Sequence, residues 1–302
     1  MPISPPFNRL PARALLPSAA VMGIVLILIA RLHPASRALV ETSMGAGLLA
    51  YAGVVVVLLV AARNARLDWN RLLGPTLPHT EWPLAAVAFP LAALSYAGFW
   101  LLWVPLSLIA PGFVQSYALD TMPELLSRGN PARLFLDVVV IVIVAPVVEE
   151  ILFRGILLHR WAARWGTTAG VIVSSALFAI GHVELIGHFV FGVALAALYV
   201  RTRSLWVPIA AHVVNNAFAI SFAIPDALRG VPEIAPSIEE FREEWPAAVL
   251  FLVLGATVLW WLWRRYGPRG AWTLPYASEA QPAAAVVRPG AEPIDATFGE
   301  AP

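Results

Sequence analysis

Residues 134–161 read LFLDVVVIVIVAPVVEEILFRGILLHRW, an apolar run without a polar gap that nevertheless carries Asp137, Glu149, Glu150 and Arg154. A bilayer core about 30 Å thick takes about 20 mostly apolar residues per helix, so the run is long enough to span one. Its charges then fall where hydrocarbon would surround them, at about 2.5–3.5 kcal/mol each on insertion scales. Ionisable groups held at that cost are functional candidates. Working outward, further apolar stretches run from about Leu15 to Leu32, Gly45 to Ala62 and Trp82 to Ala110 before it. After it come Thr167 to His182, Leu185 to Val200, Leu205 to Ile224 and Ala247 to Trp263. The expected fold is all-α, a polytopic transmembrane helix bundle of about eight spans in which short connections make neighbours antiparallel. The third stretch is long enough to be tilted, or broken at Pro90 or Pro105.

Composition agrees. Of the 302 residues 59% are hydrophobic and 13% charged, and mean hydropathy is +0.75. A net charge of +1 without a basic patch excludes a soluble nucleic-acid module. The absence of cysteine excludes disulfide frameworks, thiolate metal sites and thiol nucleophiles. Arginines near the span ends set the orientation. With the N-terminus inside, Arg9, Arg13, Arg63, Arg66, Arg71, Arg160, Arg164, Arg201, Arg203, Arg264, Arg265 and Arg269 are cytoplasmic, against Arg31, Arg37, Arg128, Arg133, Arg229 and Arg242 outside. Both termini are therefore expected in the cytoplasm, and the bilayer is expected to be a bacterial inner (plasma) membrane. Arg9 and Arg13 ahead of the first apolar run would also suit a signal peptide, but the run is long and no small-x-small site closes it.

The chain divides into N-terminal spans (1–133), a core (134–224), an outer acidic loop with the last span (225–266) and a Pro-, Ala- and Gly-rich tail (267–302) expected to be disordered. Whether Pro111 to Arg133 holds an interfacial helix is open. Intramembrane polar residues concentrate in three zones of the core. In the first, Glu150 and Arg154 are i,i+4 neighbours about 40° apart, so they can pair, while Glu149 lies about 140° from Arg154 and must find another partner or a water. An unpaired carboxylate there is a candidate general base; alternatively both glutamates are solvated at a cytoplasmic helix end. In the second, Phe178 and His182 share a face, and Glu184 with His188 makes a rival i,i+4 pair; a lone histidine at a helix end also serves as a cap. In the third, His212 and Asn216 share a face and could hold a developing oxyanion or simply bind helices together.

Glu-Glu-x-x-x-Arg, Phe-x-x-x-His and His-x-x-x-Asn, on three helices in that order, resemble the CAAX protease and bacteriocin-processing (CPBP, or Abi) family of intramembrane endopeptidases. The resemblance covers about Leu134 to Ile224 and includes Phe153-Arg154-Gly155. It implies that Glu149 and His182 activate a water, that His212 and Asn216 hold the oxyanion, and that Glu150, Arg154 and Phe178 support the site. No cofactor is implied with certainty: the chain lacks a His-Glu-x-x-His helix, although Glu149, His182 and His212 could ligate zinc. The implied partner is a membrane-associated protein or peptide, cut in or near its C-terminal part, with the lipid bilayer as surroundings and no nucleic acid. Counted at 1.5 Å per residue from the inner boundary, Glu149, His182 and His212 lie at roughly 15, 22 and 12 Å, an uneven set. Two other readings are a proton or metal-ion transporter with Asp137 lining the path, and a catalytically silent membrane scaffold. Rhomboid-like, presenilin-like and sortase-type chemistries lack their motifs.

Overall fold

Hydrocarbon offers no hydrogen bonds, so a spanning segment must satisfy its own backbone, and runs of Val, Leu, Ile and Ala do so as helices. The computed structural model describes residues 12–32, 43–76, 82–120 and 126–267, with positions 7, 10, 269–270 and 272–276. Every regular element among the described residues is helical. The first two spans are α1 (Ala12–Leu32) and α2 (Ser43–Ala65). The third, α3 (Ala88–Ile109), follows a 3-10 segment Trp82–Val87. The fourth, α4, is one helical stretch that alternates α and π winding through Pro131–Val139, Val140–Val144, Ala145–Glu150, Ile151–Leu157 and Leu158–Trp165. Then come α5 (Thr167–Ile180), α6 (Leu185–Thr202), α7 (Trp206–Ser221) and α8 (Trp245–Tyr266).

The chain is an integral membrane protein. Among the described residues five helices are each long and apolar enough to cross a bilayer: α1, α2, α3 with its 3-10 lead-in, α6 and α8. The other three expected spans, α4, α5 and α7, are those with polar motifs; α5 has 14 residues and α7 has 16. The break expected at Pro90 or Pro105 falls instead where 3-10 winding gives way to α between Val87 and Ala88. Pro90 lies in the first turn of α3, where its missing N–H costs nothing, and Pro105 stays inside the helix.

Helices meet where side chains are small, the usual basis of packing between spans. A Cβ on Gly53 would lie 2.6 Å from the Gly23 nitrogen, so α1 and α2 form a close hairpin. A Cβ on Gly192 would lie 2.8 Å from the Ser175 Cβ, which brings α6 against α5. Phe178, Phe191, Leu195 and Ala211 form the apolar centre of α5, α6 and α7, while Leu58, Leu152, Ile156 and Leu157 pack α2 on α4.

Outside the spans, the segment after α3 forms a short helix Pro111–Val114 and a π turn Gln115–Leu119. The acidic loop folds into Ile224–Arg229 and Ile238–Glu243. Ser237 caps the second of these in a reciprocal capping box with Glu240. Its backbone N–H holds the Glu240 carboxyl below the usual carboxylate range. The tail departs from the expected appendage at its start, where residues 272–276 pack on the bundle. Leu274 joins Leu158, Val171, Ala196 and Val200, and the Asp68 N–H donates to the Tyr276 hydroxyl at 3.1 Å. Two apolar side chains and a satisfied hydroxyl explain why this stretch docks despite its composition. Residues 277–302 lie outside the described residues.

Candidate active site

The site is built on α4. Glu150 and Arg154 lie one helical turn apart, and Arg154 Nη1 donates to Glu150 Oε1 at 2.6 Å. Both side chains are buried, at 0% and 1% exposure, so each charge depends on the other. The Arg154 guanidinium also lies over the Phe178 ring, 4.6 Å from its centroid, a cation–π contact between α4 and α5. The i,i+4 expectation for this pair holds.

Glu149 and Glu150 both lie in the α-wound segment Ala145–Glu150, ahead of the π-wound turns Ile151–Leu157. Both glutamates reach one histidine of α7. His212 Nδ1 lies 2.9 Å from Glu150 Oε1, and His212 Nε2 lies 3.8 Å from Glu149 Oε2. Glu150 Oε1 thus receives Arg154 and His212 together. Glu149 keeps 13% of its side chain exposed, against 0% for Glu150. Of the two carboxylates it is the more exposed. The two carboxylates thus differ in burial and in partners, Glu150 being held by Arg154 and His212.

His182 stands just past α5. Its Nδ1 lies 2.8 Å from the Phe178 carbonyl oxygen. A carbonyl only accepts, so Nδ1 carries the proton and Nε2 presents a lone pair. The Phe178 ring links the histidines: its centroid is 4.7 Å from that of His182 and 5.8 Å from that of His212. Phe178 is itself 0% exposed. Asn216 faces α4, where its side-chain amide donates to the Ile141 carbonyl at 2.9 Å and accepts from Asn215 at 3.3 Å. No hydrogen bond joins Asn216 to His212 among the described residues. Ile141 belongs to the π segment Val140–Val144, in which the Ala145 N–H bonds the Val140 carbonyl; the residue five beyond Ile141 is Pro146, which has no N–H, so the Ile141 carbonyl is left for Asn216.

Three expected candidates stand aside. Asp137 is buried, and its Oδ2 accepts from the Ser127 N–H at 2.7 Å, which fastens the loop before α4. Glu184 is the N-cap of α6 and accepts from the Gly187 and His188 N–H groups at 2.6 and 2.8 Å. His188, its i,i+4 partner, stacks on His182 with ring centroids 4.1 Å apart. The rival pair is thus a helix start that supports the His182 turn. Two residues were missed. The Tyr51 hydroxyl of α2 donates to Glu149 Oε1 at 2.5 Å, and the Trp103 ring N–H of α3 donates to the Val183 carbonyl at 3.2 Å, beside His182. Neither belongs to a motif; the available signal was a lone tyrosine in an otherwise aliphatic span.

Among the described residues no group of three His, Asp or Glu side chains stands close enough together to hold a metal ion. Two carboxylates, an arginine and two histidines meeting in an apolar bundle can hold and deprotonate a water and receive negative charge on an oxygen.

Comparison with known proteins places the same residues in a family context. Residues 131–218 match the family model described as Type II CAAX prenyl endopeptidase Rce1-like. The chain is 35% identical over 88 residues to "Putative membrane peptidase YdiL" of Bacillus subtilis (strain 168), covering 28% of this chain and 36% of that protein. It is 28% identical over 138 residues to "Uncharacterized 24.3 kDa protein" of Escherichia coli, covering 43% of this chain and 60% of that protein. The chain therefore spans between about a third and three-fifths of these relatives. No solved structure matches.

Proposed function

We propose that this chain, whose residues 131–218 match the Rce1-like family model, is an intramembrane endopeptidase of the CAAX protease and bacteriocin-processing family. It hydrolyses a peptide bond in or near the C-terminal part of a membrane-associated protein. The observation that carries the proposal is the approach of Glu149 Oε2 to His212 Nε2 at 3.8 Å. That gap is too wide for a direct hydrogen bond and suits one water touching both atoms at about 2.8 Å.

In this reading Glu149 takes a proton from the water as its oxygen adds to the scissile carbonyl carbon. The Nε2 lone pair of His182 assists as a second acceptor, and His212, donating through an Nε2–H while its Nδ1–H stays on Glu150, receives with Asn216 the charge that develops on the carbonyl oxygen. Collapse of the adduct breaks the C–N bond, and the proton taken from water passes to the leaving amine. Glu150 and Arg154 hold His212 by its Nδ1 and keep its Nε2 aimed at Glu149. Burial by surrounding apolar side chains strengthens each of these interactions.

The test uses purified protein reconstituted in lipid vesicles with a membrane-protein extract, reading newly formed chain ends by mass spectrometry. Wild type is expected to create new ends. Glu149→Gln and His182→Ala are each expected to abolish them, a loss of at least about a hundredfold for removing a general base, while remaining folded in the membrane. Normal cleavage by either variant rules out its assigned role. A transporter reading has less support, because Asp137, the residue that would line its path, is engaged with the Ser127 N–H.

A further inference from the structure

Tyr51 lies in α2, outside the segment that resembles known peptidases, within the run Gly-Leu-Leu-Ala-Tyr-Ala-Gly-Val. Its hydroxyl nevertheless reaches across to α4 and donates to Glu149 Oε1 at 2.5 Å. The two oxygens of Glu149 are thereby made unequal. Oε1 is held by Tyr51, and Oε2 faces His212 Nε2 at 3.8 Å. A glutamate side chain turns about three single bonds, and a base must stay within about 0.5 Å of its productive position to act well.

We propose that Tyr51 is a positioning residue for Glu149: its hydroxyl fixes Oε1, so that Oε2 is the oxygen presented to the reacting water. The inference rests on the peptidase reading and adds a residue to it. It also gives the N-terminal hairpin a task. α1 and α2 close on each other through Gly23 and Gly53, and α2 meets α4 along Leu58, Leu152 and Ile156. Residues 131–218 alone would therefore lack one of the partners of Glu149. An adhesive role, one hydrogen bond between two helices, would affect stability; a positioning role affects the chemical step.

The test compares wild type, Tyr51→Phe and a protein carrying 3-fluorotyrosine at position 51, which keeps the donor. The substrate is the one revealed by sequencing newly formed chain ends. Tyr51→Phe is expected to lower kcat about ten- to a hundredfold with KM within about twofold of wild type and no loss of folded protein, and the fluorotyrosine protein is expected to retain activity. In infrared difference spectra, the carboxylate band that disappears in Glu149→Gln is expected to shift in Tyr51→Phe. Wild-type kcat in Tyr51→Phe, or loss of activity with the Glu149 band unmoved, overturns the proposal while leaving the peptidase reading intact. Wild-type cleavage by Glu149→Gln overturns both, and this outcome is distinguishable because it involves no change at Tyr51.

Discussion

At the scale of single residues, Arg154 carries the heaviest electrostatic burden, being fully buried with Glu150 as its ion-pair partner and Phe178 under its guanidinium. Removing one member of such a pair leaves the other charge uncompensated, at about 3–5 kcal/mol. Arg154→Ala and Glu150→Gln are each expected to lower the unfolding temperature in detergent markedly, whereas Glu149→Gln, at a more exposed position, is expected to leave it nearly unchanged. Equal stability of all three variants would mean that the pair does not brace the site. This pair was legible in the sequence because i,i+4 spacing on a helix has one geometric meaning. The approach of Glu149 to His212 was not, since a helical wheel describes one helix and this contact joins α4 to α7. Tyr51 was hidden for another reason: a contact across 98 positions of sequence leaves no periodic trace.

At the scale of elements, α5 and α6 must approach closely for the Phe178 and His182 turn to face α4 and α7. Gly192 permits that approach, with a would-be Cβ only 2.8 Å from that of Ser175. Gly192→Val is therefore expected to push α5 outward, costing about 1–3 kcal/mol of stability and lowering cleavage, as read by thermal unfolding and by the vesicle assay together. A variant with normal activity would show that the register of α5 tolerates displacement. The depths counted from helix boundaries assume uniform winding, which α4 lacks at its π segments. His182 lies past the end of α5, in ring contact with Phe178. Span positions were readable because apolar runs between arginines are long; winding within a span depends on tertiary contacts such as Asn216 with Ile141.

At the scale of the whole molecule, we propose from the distribution of arginines that both termini lie in the cytoplasm. Fusion of a reporter that fluoresces only in the cytoplasm should give signal at either terminus and none within residues 230–236, which lie between the short outer helices. The reverse pattern would invert the bundle. The docked residues 272–276, with Tyr276 packed on Phe7 and His159, join position 7 to the same side of the bundle. Composition could not foretell this docking, because it arises from two side chains in a polar, proline-rich setting. The central claim concerns hydrolysis by Glu149, and the most direct measurement compares the membrane proteomes of cells expressing wild type and Glu149→Gln at matched levels, reading protein C-termini by mass spectrometry. A peptidase of this kind yields at least one truncated C-terminus with wild type that is absent with Glu149→Gln; identical sets of C-termini, in cells whose own membrane proteins include the natural substrates, would contradict it.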